Sequence, residues 1–351
     1  MVASIGLPKE TKDGERRVAL DPSAVKSVVR AGYDVLVQAT AGVGAGFSDS
    51  DYEAVGAKVV PGAAEVWAAD LVVKVKEPQP VEWGYFREGL KLFAYLHLAA
   101  EPELATALAT KGVEAYAFET LEERGGLPLL APMSEVAGRT AAIVGAHYLA
   151  MGSGVLLGGS AGVEPARVVV IGLGVAGTMA ARGARGMDAE VTGIDIDLHR
   201  LYEAHQQGTV TATLASSEHA IGEAVAGADL VIGAALVTGA RAPRLVLREH
   251  VTNMRPGSVI VDLAIDQGGC VETARPTSHS NPVYEELGVI HYCVTNVPGQ
   301  YPRTASRALS AAVAPKLIEL ARDPGSSKLT GSLNVAGGKI VHPVVAGALQ
   351  R

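Results

Sequence analysis

Five polar side chains close apolar runs of this chain: Lys76 ends "DLVVKVK", His97 ends "KLFAYLH", Glu119 ends "VEAYAFE", Asp266 ends "SVIVDLAID" and Asn296 ends "IHYCVTN". An ammonium, an imidazole, two carboxylates and a carboxamide can bind anions, carry protons and steady a charge that develops on a substrate. Imidazole titrates near pH 6.5 in water, which suits His97 to general acid/base work. A lone histidine in an apolar run is more often a satisfied core residue, but five polar residues aligned with the ends of successive runs favour function. Upstream, "KDGERRVAL" offers Arg16 and Arg17. A forked guanidinium fits a carboxylate, although two solvated charges are the simpler account of that pair taken alone. Lys74 and Lys76 share a strand face, and Lys76 lies nearer the strand end, so position favours it.

A second constellation suits phosphate. In "VVVIGLGVAG", Gly172, Gly174 and Gly177 stand in G-x-G-x-x-G spacing, directly after one apolar run and at the head of a helical one. The three glycines serve a tight turn, a close backbone approach to pyrophosphate, and contact of helix with strand. The helix N-terminus offers its unpaired N–H groups to the phosphates. The next strand, "EVTGID", ends at Asp195, 23 residues beyond Gly172, where a carboxylate accepts ribose hydroxyls and repels a 2′-phosphate. These features predict NAD rather than NADP, with nearby Arg200 the one group that would welcome the extra phosphate.

Parallel sheets must position both constellations. "SIGLP", "YDVLVQA", "AKVV", "DLVVKVK", "KLFAYLH" and "VEAYAFET" read as strands, alternating with helical "PSAVKSVVRAG", "AAEVWAA" and "ELATALATKG". The pattern then restarts with "ARVVVIGLG", "AEVTGIDID", "TVTATLA", "ADLVIGAAL", "GSVIVDLAID" and "GVIHYCVTN". The expected fold class is α/β, with two Rossmann-like, doubly wound parallel-sheet domains and an interdomain cleft. A last helical segment, 303–322, has no strand partner of its own and is expected to return to the first domain. Thr140 to Val163 carries no formal charge, but six glycines, His147 and two serines interrupt it. It reads as a helix over 134–150 followed by a glycine-rich connector, not as a lipid-facing span.

Composition excludes several classes. A chain of 351 residues with 48% hydrophobic and 19% charged side chains is globular and long enough for two cores. A net charge of -7 without basic runs argues against nucleic acid and anionic membranes as partners. Two cysteines, Cys270 and Cys293, are too few for a disulfide framework or a thiolate metal site, and no metal is expected. The first twenty residues lack the apolar core of a secretory signal, so a cytoplasmic location is expected.

"GLPKETKDGERRVALDP", "DLVVKVKEP", "YLHLAA", "PLLAPMSEVAG", "VVVIGLGVAG", "DLVIGAALVTGARAP" and "VDLAIDQGGC" together resemble the alanine dehydrogenase and pyridine nucleotide transhydrogenase family over nearly the whole chain. The resemblance implies a substrate domain from 1–129 and 303–351, and an NAD-binding domain over 130–302. It implies NAD-dependent oxidative deamination of L-alanine to pyruvate and ammonium, with the reverse reductive amination, by a homo-oligomer that is hexameric. Arg17 and Lys76 would hold the substrate carboxylate and carbonyl oxygen, and His97 and Asp266 would handle protons. Beyond Gly172, Gly174, Gly177 and Asp195, the same matching implies Ser134, Val175, Ala176, Arg200, Ser216, Leu236, Asn296 and Val297 as cofactor contacts. The chain departs from the family in a short connector, "LAMGSGVLLGG", and in "ALSAAV", which puts Ala311 where asparagine is usual. Both lie near the hinge and the subunit-packing region. Two rivals compete: a transhydrogenase subunit, disfavoured by the set Lys76, His97 and Asp266, and a binding protein without turnover.

Overall fold

The chain is described here by a computed structural model covering residues 2–235 and 242–349. Contacts divide it into two compact units, residues 2–133 with 301–349, and residues 134–235 with 242–300. The first unit starts with β1 (Ser4–Leu7), β2 (Asp34–Gln38), β3 (Lys58–Val60), β4 (Leu71–Val73), β5 (Lys91–Ala94) and β6 (Glu114–Ala117). The second holds β7 (Arg167–Ile171), β8 (Glu190–Asp195), β9 (Ala212–Ala215), β10 (Leu230–Gly233), β11 (Val259–Asp262), β12 (Val283–Glu286) and β13 (Val289–Tyr292). The chain then returns to the first unit with β14 (Leu333–Ala336) and β15 (Lys339–Ile340).

The first sheet runs β15-β14-β6-β5-β4-β1-β2-β3, and the second β12-β13-β11-β10-β7-β8-β9. In each, the first strand has its parallel neighbours on both sides, β2 and β4 around β1, β8 and β10 around β7. Crossovers therefore leave that strand in opposite directions. In such sheets a ligand lies beyond the carboxyl ends of the strands at this switch point. Both sheets are mostly parallel, as expected, with antiparallel pairs only toward one margin. β12 pairs antiparallel with β13, and β14 with both β6 and β15. The two hairpins turn at Leu287-Gly288 and Gly337-Gly338, all four with positive φ, as two-residue hairpin turns require.

Valine, isoleucine and leucine make the central strands, and β4, β10 and β11 are buried at every position, as sheets covered on both faces demand. In the first unit the helix Pro22–Arg30 covers one face. Asp21 caps it by accepting the Ala24 N–H at 2.8 Å, and Pro22 stands in its first turn. The helix Pro302–Arg322 shares that core through Ala305, Leu309, Val313 and Leu317. Its Ser306 and Ser310 hydroxyls accept the N–H groups of Val18 and Asp21 at 3.0 and 2.7 Å. In the second unit, small residues let helices close in. A Cβ on Gly138 would meet the Ala176 carbonyl oxygen at 2.1 Å, and one on Gly183 would meet Ala142 at 2.8 Å. The long helix begins at Ala131, three residues before the expected start, and runs to Met151. Among the described residues no helix is long and apolar enough to cross a membrane.

Candidate active site

Four strands of the first unit are followed by ionisable side chains. Arg17 follows β1, Lys76 lies three residues beyond β4, His97 three beyond β5 and Glu119 two beyond β6. Burial separates the two arginines, since Arg16 is exposed and Arg17 is 3% exposed. The Arg17 Nε and Nη2 donate to the two oxygens of Glu15 at 2.8 and 2.6 Å, while Nη1 is directed at the Met133 sulfur at 3.1 Å. Burial opposes this charge, but the hydrogen bonds and charge of Glu15 outweigh it and hold the guanidinium above its ordinary range.

The two lysines just beyond β4 also part ways. Lys74 is wholly buried, with its Nζ 2.8 Å from Glu82 and 3.5 Å from Glu10. Burial would strip its proton, yet the two carboxylates more than compensate and keep it charged. Glu10 goes further, accepting the N–H groups of Val75 at 2.6 Å and Lys76 at 3.3 Å. One buried carboxylate thus ties Lys74 to the backbone that presents Lys76. Burial, against the pull of Lys74, pushes the Glu10 carboxyl up to about 7. The adjacent Glu77 accepts from Lys12 at 2.5 Å. Burial would raise its pKa, but Lys76 and Lys12, with a smaller contribution from His97, hold it below the usual carboxylate range.

His97 is half-buried and has φ of 48°, a left-handed conformation uncommon outside glycine, asparagine and aspartate. Its N–H donates to Glu119 at 2.7 Å, and its ring stacks on Tyr95, centroids 6.0 Å apart and planes 11° from parallel. The Tyr95 hydroxyl in turn donates to the Leu129 carbonyl oxygen at 2.5 Å. Burial raises the Tyr95 pKa and the nearby Arg17 charge opposes it, so the guanidinium, phenol and imidazole lie in one neighbourhood.

In the second unit the glycines take three distinct places. Gly172 has φ of 92°, and a Cβ there would meet the Ala234 carbonyl oxygen at 2.8 Å. A Cβ on Gly177 would lie 1.7 Å from the Gly172 carbonyl oxygen. On Gly174 it would meet only Arg200 Nη1, at 3.9 Å, so this side of the loop is open. The helix Val175–Arg185 starts there, through Val175 and Ala176, without a side-chain cap. Asp195 ends β8, accepting the N–H groups of Leu173 at 2.6 Å and Asp197 at 2.9 Å. Arg200 stands 3.8 Å from it, and the Ser216 N–H donates to its carbonyl oxygen at 3.0 Å. A tight turn, an open loop, uncapped helix N–H groups and a carboxylate on the second strand fit a dinucleotide.

Asp266 is exposed on a short turn after β11 and accepts the Asn296 N–H at 3.2 and 3.3 Å. Asp262 anchors that turn, accepting from Ala264, Cys270 and Val271 at 2.9, 2.9 and 3.1 Å. Ser134 is half-buried in the long helix, and Val297 is buried. Leu236 lies outside the described residues. Among those described, no group of three or more His, Cys, Asp or Glu side chains is placed to hold a metal ion.

A glycine cradle in one unit and ionisable strand ends in the other fit an α/β oxidoreductase of the dinucleotide-binding class. Two family profiles cover the chain, "Alanine dehydrogenase/PNT, N-terminal domain" over residues 6–137 and "Alanine dehydrogenase/PNT, C-terminal domain" over 141–343. Alanine dehydrogenase of Bacillus subtilis (strain 168) is 49% identical over 353 residues, which cover 97% of this chain and 93% of that protein. A solved structure titled L-alanine dehydrogenase superposes with TM-score 0.93 at 48% identity, covering 99% of both chains. A transhydrogenase structure from Sinorhizobium meliloti follows, with TM-score 0.84 at 30% identity over 97% of this chain and 99% of that one. The chain belongs to the alanine dehydrogenase/PNT family, whose Rossmann-like fold implies a nicotinamide cofactor.

Proposed function

We propose that the protein is an NAD-dependent L-alanine dehydrogenase, interconverting L-alanine and water with pyruvate and ammonium. The observation that carries the reading is the placement of Arg17, Lys76 and His97 beyond β1, β4 and β5, at and beside the switch point of the first sheet. NAD, held by the Gly172–Gly177 loop and Asp195, would accept the hydride from the substrate Cα. The remaining work falls to side chains. Arg17 keeps Glu15 as its orienting partner and turns Nη1 to the substrate carboxylate, exchanging the weak Met133 sulfur acceptor for a charged one. Lys76 steadies the oxygen of the carbonyl or carbinolamine. His97 takes a proton from the attacking water and returns one in the reverse direction. Asp266 balances positive charge on the imine nitrogen. Ser134, Val175, Ala176, Arg200, Ser216, Leu236, Asn296 and Val297 complete the cofactor contacts, on the strength of the family match.

Asp195 supports NAD over NADP, because its carboxylate would repel a 2′-phosphate, although Arg200 beside it offers some compensation. A cytoplasmic homo-oligomer, hexameric as the family resemblance implies, completes the proposal; light scattering behind size exclusion tests the subunit number. The activity test is NADH absorbance with a panel of small amino acids. L-Alanine should give the fastest rate, and absence of NAD reduction by any of them would overturn the assignment. Stoichiometric hydride exchange between NADH and NADP without amino acid would favour the transhydrogenase reading instead.

A further inference from the structure

Nothing above gives Glu119 a role, yet its contacts converge on the segment that bears His97. Oε1 accepts the His97 N–H at 2.7 Å and the Leu96 N–H at 3.2 Å, and Oε2 accepts the Leu96 N–H at 3.2 Å. The acceptor comes from the end of the neighbouring parallel strand, with β5 and β6 in register from Lys91↔Glu114 to Ala94↔Ala117. Past Ala94 the ladder ends, and His97 turns into the left-handed region at φ 48°. Left-handed backbone costs a residue with a Cβ roughly 1–2 kcal/mol. That cost persists only where the surroundings over-determine the conformation. A carboxylate shared between two consecutive amides is such a constraint, since charge-assisted hydrogen bonds are roughly twice as strong as neutral ones.

The backbone turn at His97 carries the imidazole, so what holds the turn also holds the ring. With the backbone in this turn the ring lies parallel to that of Tyr95, centroids 6.0 Å apart. We propose that Glu119 is a positioning residue for the reaction: its carboxylate locks the Leu96-His97 amides and thereby fixes the imidazole in its working orientation. Both its oxygens are taken by amide N–H groups, which leaves it anchoring rather than proton-carrying work. The inference rests on His97 acting as the proton carrier.

The test compares Glu119→Ala, Glu119→Gln and His97→Ala in pyruvate reduction, with the whole enzyme. Glu119→Ala should lower kcat by roughly 10- to 100-fold, the size of effect that ångström-scale misplacement of a reacting group produces. The Michaelis constant for pyruvate and the affinity for NADH should stay within about twofold, because Arg17, Lys76 and the glycine loop are untouched. Proton transfer should become slower than the other steps, so the solvent deuterium isotope effect on kcat should rise. Glu119→Gln keeps a carbonyl oxygen for the His97 N–H and should recover most of kcat and a wild-type isotope effect. If the alanine variant does not fold, Glu119→Asp, one methylene too short to span both amides, should show the same kcat loss and isotope effect in weaker form. Wild-type kcat in the alanine or aspartate variant, or a loss confined to melting temperature, overturns the proposal. So does a glutamine variant as impaired as the alanine one. His97→Ala retaining full turnover would instead remove the proton-carrier reading on which the inference rests.

Discussion

Two lysines, two positions apart just beyond β4, illustrate how little a residue type says without its partners. Lys74 is neutralised by Glu10 and Glu82 inside the protein, so Lys74→Ala would leave two buried carboxylates around an empty place. Breaking a buried pair from one side costs about 3–5 kcal/mol, and thermal melts should show that loss with little change in the kinetics of the folded fraction. Lys76→Ala should do the reverse, raising the Michaelis constant for pyruvate and depressing turnover while melting near the wild type. Equal kinetic losses from both lysines would defeat the distinction. His97→Ala should cut turnover by roughly two to four decades, the range for a lost general acid/base, with NADH binding intact by fluorescence titration. The position of Lys76 and His97 at strand ends was legible from apolar runs alone. The choice between Arg16 and Arg17 was not, because it depends on which side chain the fold buries and on Glu15 turning back to meet it.

At the scale of elements, all twelve apolar runs became strands and the final helix packed on the first core. The strands that escaped notice, β12, β14 and β15, are short pieces of two to four residues at the sheet margins, held there by antiparallel partners. "VYEEL" has glutamates more at home in a helix, and only the two-residue turn at Leu287-Gly288 marks the hairpin. The Gly-Gly at 337–338 was a readable hairpin signal of the same kind. The glycine loop was the most legible element, because each glycine answers a steric demand. Those demands are separable. Gly177→Ala would drive a methyl into the Gly172 carbonyl and should lose both folded yield and NADH binding. Gly174→Ala meets only the far end of Arg200, so melting should be near wild type while NADH binding weakens. A Gly174→Ala variant binding NADH normally would show that the pyrophosphate does not approach this loop closely.

Across the whole molecule, buried carboxyls set the response to pH. Glu10 rises from an ordinary 4.5 to about 7, and Asp262 from 3.8 to about 6, each chiefly through burial. Inside those windows the native chain holds protons that the unfolded chain has released, so the contribution of these two groups to stability falls as pH rises through them and levels off above. Glu10→Gln should make melting temperature fall less, or rise more, across roughly pH 5 to 8 than it does in the parent chain, and an unchanged slope would place the titrating group elsewhere. The charge cluster behind this behaviour was invisible in the sequence, since Glu10, Lys74 and Glu82 meet only after β1 and β4 have paired. That dependence on distant pieces has a wider consequence. The first unit is stitched from two stretches of chain with the entire second unit between them. On the ribosome, β1 to β6 emerge without Ala305, Leu309, Val313 and Leu317, which belong to the same core as Val25 and Val28. They must wait, at translation speeds of about 5–20 residues per second, for on the order of ten seconds. The second unit, whose pieces 134–235 and 242–300 have both emerged by then, can mature during that interval although it is second in line. Nascent chains arrested before Pro302 emerges should therefore resist protease over 134–235 and 242–300 and be cut within 2–133, leaving the early apolar sheet as the stretch a chaperone would hold.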